Sequence, residues 1–182
     1  KNKKINNLST VMVDGGKARD LTVGLGSGAY RRPSDPSNMF YAVSDRGPNF
    51  VCGDVETVLG VSEDAVCHGN KVRVYPTPDY SPSIYTIFLG DNGTFDIKDV
   101  ITIKDQNGIP LTGLTNKLTV AKTEKPVDAN GNALEQSVSS IDAEGIIRLT
   151  DGSYWIGEEN GPSVLHVAAD GTVIERLVPA GS

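Results

Sequence analysis

Long apolar runs are missing from this sequence. None approaches the roughly 20 residues that a membrane-crossing helix needs. Basic residues are in the minority, 17 against 23 acids for a net charge of −6. That balance argues against a partner such as nucleic acid or an anionic membrane and is compatible with binding cations. Soft metal ligands are scarce, with two histidines and two cysteines. No second cysteine pair accompanies Cys52 and Cys67, and His68 is the only other soft ligand nearby, so a zinc site lacks its ligand set. In an oxidising compartment the two cysteines pair, which stabilises a loop of this size by about 3 kcal/mol. The alternative is a pair of free thiols in a cytosolic protein. Helical periodicity is also absent, since no segment keeps apolar residues at i, i+3, i+4 and i+7 for three turns.

What remains is a chain of 182 residues, long enough for a core. It opens on Lys1 rather than Met, which fits a processed protein or an excised piece. Short β-rich runs recur, separated by Asp-Gly and Asn-Gly turns. Met39 to Ser44 and Lys71 to Tyr75 read as strands. Ser83 to Leu89 meets Thr94 to Ile103 across Asp91-Asn92-Gly93. Gly145 to Leu149 meets Ser153 to Gly157 across Asp151-Gly152, and Ser163 to Val167 meets Thr172 to Val178 across Asp170-Gly171. The last two hairpins together make a four-stranded meander the size of one β-propeller blade, with a β-sandwich as the competing all-β architecture. Arg46 to Asn70 and Asp105 to Glu135 read as long loops, and loops of that length in a compact domain are often functional. Asp105-Gln106-Asn107-Gly108 and Asp128-Ala129-Asn130-Gly131 look like the opening of a calcium loop but lack its closing glutamate, and read as turns. The glycine-rich stretch around Ser27 matches neither a phosphate loop nor a hydrolase elbow and reads as a turn.

Five carboxylates close apolar runs where solvated loops begin: Asp45, Asp142, Glu144, Glu158 and Glu159. If Ile141 to Ile146 is extended, Asp142 and Glu144 share a face about 7 Å apart, with Ile141 and Ala143 on the other. Clustered carboxylates repel unless a proton or cation offsets them, and all-oxygen ligands favour Ca²⁺ or Mg²⁺. The competing reading makes them solvated strand ends or partners of Arg46 and Arg148.

Three ordered segments carry a family resemblance: Ala42-Val43-Ser44-Asp45-Arg46-Gly47-Pro48, Asp142-Ala143-Glu144-Gly145-Ile146, and Trp155-Ile156-Gly157-Glu158-Glu159-Asn160-Gly161-Pro162-Ser163. Their order and spacing resemble the phytase-like family, described as having the esterase-like activity of phytase. The resemblance implies an all-β propeller, secreted or periplasmic, with its acids near the mouth of a central channel. It implies esterase or phosphoesterase chemistry, and with the clustered acids the expectation is a metal-dependent hydrolase of ester or phosphoester bonds acting on a small ester or phosphoester. Asp45, Asp142, Glu144, Glu159 and, less centrally, Glu158 are then the metal candidates. Asp142, Glu144 and Arg46 are the catalytic candidates, with Arg46 holding an anionic substrate group or pairing with Glu144 or Glu159. Ca²⁺ is the expected cofactor, with Mg²⁺ as the alternative. The competing function is a non-catalytic, calcium-stabilised propeller serving as a binding module or a subunit of an extracellular assembly. At about 45 residues per blade the chain makes about four blades, and the family's domain is about twice as long. Residues 1–182 then form the N-terminal part of an incomplete six- or seven-bladed propeller. Open sheet edges and an uncovered core face are rarely tolerated alone. The expected partner is therefore the rest of the propeller, as a second chain or a neighbouring subunit.

Overall fold

The computed structural model describes residues 7–13, 15–16, 18–117 and 123–181. The fold is all-β, with strands β1 (Asn7–Val11), β2 (Arg19–Thr22), β3 (Leu25–Tyr30), β4 (Met39–Ser44) and β5 (Phe50–Val51) before two one-turn helices, α1 (Val55–Leu59) and α2 (Glu63–Cys67). Then follow β6 (Arg73–Val74), β7 (Ser83–Leu89), β8 (Phe95–Thr102), β9 (Pro126–Val127), β10 (Ala143–Arg148), β11 (Tyr154–Glu158), β12 (Ser163–Val167) and β13 (Val173–Leu177). No helix among the described residues is long and apolar enough to cross a membrane.

Two four-stranded antiparallel sheets dominate, in the orders β3-β4-β7-β8 and β10-β11-β12-β13. The second is the meander expected from its Asp-Gly turns. Its strands alternate cleanly between the core and the other face, so Tyr154, Ile156, Leu165 and Val167 all point inward. They meet Tyr41, Val43 and Ile84 of the first sheet in one apolar core. The sheets thus stack face to face as neighbouring blades of a partial propeller do, and the described residues form no closed ring. About four blades are expected from length alone. Two are present as full meanders, and the remaining sheets have two and three strands.

Three local readings change. The glycine-rich stretch expected to turn is strand β3, at the edge of the first sheet and paired with β4. Its glycines permit a close approach rather than a turn: a Cβ at Gly28 would come within 2.8 Å of the Gly145 Cα in β10. The Arg46 to Asn70 loop contains β5, α1 and α2, closed by a Cys52–Cys67 disulfide with its Cα atoms 6.1 Å apart. These elements build a second core from Phe50, Val55, Leu59, Val66, Val74 and Val127. Within Lys71 to Tyr75 only Arg73 and Val74 are strand, and they join the small sheet β5-β6-β9 rather than either meander. The two calcium-like openings are turns, as expected. Asp105 Oδ1 accepts the backbone N–H groups of Asn107 and Ile109, and Asp128 Oδ1 those of Asn130 and Asn132.

Candidate functional site

The site forms where the ends of the meanders meet the second core. Strand β4 is buried through its last four residues and ends on Ser44. The Ser44 hydroxyl oxygen accepts from the Tyr80 hydroxyl at 2.6 Å and the Ser83 backbone N–H at 3.0 Å, which anchors the strand end. Asp45 and Arg46 follow where the chain leaves the sheet. Any Cβ at Gly113 would collide with the Arg46 carbonyl, so only glycine lets the 111–117 segment pass here.

Arg46 lies at the centre. Its Nε is 3.2 Å from Asp142 Oδ2, and its Nη1 donates to Glu124 Oε2 and to the Tyr75 hydroxyl, both at 3.1 Å. Its ion pairs therefore run to Asp142 and Glu124, not to Glu144 or Glu159. Beyond it, Arg73 grips Glu124 Oε1 through Nη2 at 2.8 Å and Nε at 2.9 Å. The Thr115 hydroxyl lies 3.0 Å from the Tyr75 hydroxyl and 3.3 Å from Glu124 Oε2. Charges thus alternate along Arg73, Glu124, Arg46 and Asp142. Burial works against the Glu124 charge, but the Arg73 bond and the Arg46 charge outweigh it and hold its carboxyl below the usual range.

Asp142 sits one residue before β10, with Ile141 and Ala143 turned into the main core as the extended reading requires. Its side chain is only 6% exposed, which is unusual for an acid. Burial pushes it up to about 7; Arg46 opposes this, and the nearby Asp45 and Glu159 add to it. Asp45 Oδ1 accepts the Arg46 backbone N–H at 2.5 Å, which holds its carboxyl beside this cluster. Glu144 is exposed, beside an irregularity in the β10–β11 register that interrupts simple alternation after Ala143. Partial burial raises it, and Glu159 and Asp45 push it the same way. The structure thus brings Asp45, Asp142, Glu144 and Glu159 into one electrostatic cluster around Arg46.

Glu158 does different work. It is 6% exposed, and it accepts from the backbone N–H groups of Gly161 at 2.9 Å and Asp142 at 3.3 Å and from the Ser163 hydroxyl at 3.2 Å. Its oxygens are occupied in shaping the 159–162 turn and fixing the Asp142 backbone. Among the described residues, no group of three or more His, Cys, Asp or Glu side chains is arranged to hold a metal ion.

Glu124, Arg73, Tyr75 and Thr115 escape sequence reasoning. The one available signal is the alternation of Lys71 to Tyr75, which places Arg73 and Tyr75 on one face. At the far end of β11, His166 stacks on Trp155 at 4.5 Å and contacts the Ser153 hydroxyl at 3.1 Å, away from the cluster.

Comparison with known proteins follows the same motifs. The family model Phytase-like, described as esterase-like activity of phytase, matches residues 22–182. An uncharacterised secreted protein of Arthroderma benhamiae is 23% identical over 173 residues, a match covering 87% of this chain and 31% of that protein. The chain therefore spans less than a third of the length of this curated relative. No solved structure matches it significantly. With all three motifs inside the matched region and their acids gathered around Arg46, the chain belongs to the phytase-like family.

Proposed function

We propose that the chain carries part of the active site of a secreted hydrolase that cleaves ester or phosphoester bonds. The observation that supports this most is a buried Asp142 whose carboxyl lies 3.2 Å from the Arg46 guanidinium and is pushed up by burial, with Asp45 adding to the rise. A carboxyl pair that shares one proton can serve both halves of a hydrolysis. The ionised member takes a proton from water as the water oxygen bonds to the carbonyl carbon or phosphorus. The protonated member gives its proton to the leaving oxygen as the ester bond breaks. Arg46 offsets the negative charge that develops on the attacked group. Glu144 is the exposed acid beside this pair and is open to solvent. Secretion, with the periplasm as the bacterial equivalent, fits the Cys52–Cys67 disulfide and the secreted relative.

The donors of Asp45, Asp142, Glu144 and Glu159 are all oxygens, which suits Ca²⁺ or Mg²⁺. Their arrangement does not complete a site by itself, because no three of them are placed to share an ion and Arg46 already occupies the Asp142 Oδ2 side. No step above is routed through a metal.

A second reading, a section of a larger propeller assembly, is favoured by the outer face of the β10–β13 sheet. Ile147, Val164 and Leu177 are 43–53% exposed there. The occupant proposed for this face is a further four-stranded sheet from a longer chain, since the curated relative is about three times as long as the match.

The test is turnover of p-nitrophenyl acetate and p-nitrophenyl phosphate by the purified protein, with and without chelator. Hydrolysis of either supports the enzyme. Loss on chelation and recovery with Ca²⁺ brings a cation into the site. Absence of turnover under every metal condition refutes the hydrolase.

A further inference from the structure

Beside Glu124 the second core opens a pocket of about 300 Å³, lined by Lys71, Arg73 and Lys125 together with Glu124 itself. The parallel pairing of β6 with β9 builds it. Arg73 lies opposite Pro126 and donates its backbone N–H to the Lys125 carbonyl at 2.9 Å, so the cations of two distant segments share one rim. Three cations face one carboxylate, in a chain whose net charge is −6. That carboxylate is already committed on both oxygens, Oε1 to Arg73 and Oε2 to Arg46. Among the described residues, neither Lys71 nor Lys125 has an ion-pair partner. A concave site with two uncompensated positive charges attracts an anion, and the attraction is stronger there than on a flat surface.

We propose that this pocket is a subsite for an anionic group, a phosphate or a carboxylate, held by Lys71 and Lys125 with Arg73 as its floor. It connects to the acid cluster through the alternating ion pairs of Glu124 and Arg46 onto Asp142. Building on the hydrolase reading, the subsite selects esters that carry a negative group away from the scissile bond. The same chemistry is offered by a free inorganic anion, and two experiments separate these sources.

In the first, inorganic phosphate is titrated calorimetrically into the wild-type protein and into the Lys71→Ala/Lys125→Ala variant. The expected result is saturable binding that weakens with added salt and is at least about tenfold weaker in the variant. No saturable binding, or equal affinity in both proteins, overturns the subsite. In the second, the same two proteins hydrolyse a neutral ester and an ester bearing a remote carboxylate. The expected result is a raised KM for the anionic ester alone, with kcat unchanged. An equal KM change for both esters overturns the selecting role. If neither ester is cleaved by either protein, the hydrolase reading fails while the phosphate titration still decides the pocket.

Discussion

The two cores of this chain are secured by different means. The main core joins two four-stranded sheets through close-packed apolar side chains, with Ile84, Ile156, Leu165 and Val167 fully enclosed. It has a four-stranded hydrogen-bonded ladder on each side and no disulfide. The second core has two-residue strands and one-turn helices, too short to be stable by local structure alone, and a disulfide closes it. The site lies across the junction. Asp45, Asp142 and Glu158 project from the ends of the large sheets, whereas Arg73, Tyr75 and Glu124 come from the small core and the segments beside it. The well-packed half carries the acids and Arg46, and the disulfide-pinned half and its flanking segments supply Glu124 and Tyr75, which hold Arg46 in place.

Breaking the main core should have the largest effect. Leu165→Ala removes a fully buried side chain between the two sheets and should cost about 3–4 kcal/mol in a denaturant titration. Cys52→Ala/Cys67→Ala opens a loop of 15 residues' separation and should cost about 3 kcal/mol. This loss should be local, with amide exchange rising around α1, α2 and β6 first and the β10–β13 ladder staying protected. Equal loosening of both regions would show that the cores are not separate units.

Glu124→Gln comes next. It strips the charge shared by Arg46 and Arg73, and at one-third exposure the expected cost is about 1–2 kcal/mol. The acid cluster should also show itself as a pH dependence. Burial raises Asp142 to about 7, so the folded protein holds a proton there that the unfolded chain has already released. Wild-type stability relative to Asp142→Asn should therefore fall as pH rises from the ordinary carboxylate range through about 7. Melting curves of both proteins across that window check the sign. A flat difference would place Asp142 in contact with solvent.

The sequence makes the main core readable and the small one obscure, for physical reasons. The β10–β13 meander is written locally, in period-2 apolar residues and the Asp-Gly turns at Gly152 and Gly171, which hold φ values of +92° and +91°. Asp45, Asp142, Glu144 and Glu159 are visible because each acid ends an apolar run. Strand β3 is hidden because its glycines lack strand propensity, and their purpose is an approach to Gly145 more than 100 residues away. Helices α1 and α2 have five residues each, too few to show a period. Glu124 sits in a polar segment, and its value depends on Arg73 and Arg46, which lie 51 and 78 residues earlier in the chain. Glu158 looks like its neighbour Glu159 in sequence. Only the turn it closes makes it a structural acid rather than a member of the cluster.

The central claim is that the buried Asp142, beside Arg46, performs the proton transfers of a hydrolysis. Rates of p-nitrophenyl ester and phosphoester hydrolysis by wild type and Asp142→Asn, compared at matched folded fraction, test it most directly. A fall of about a hundredfold or more in kcat, with an unchanged circular dichroism spectrum, is the predicted result. Equal rates in the two proteins would contradict the account.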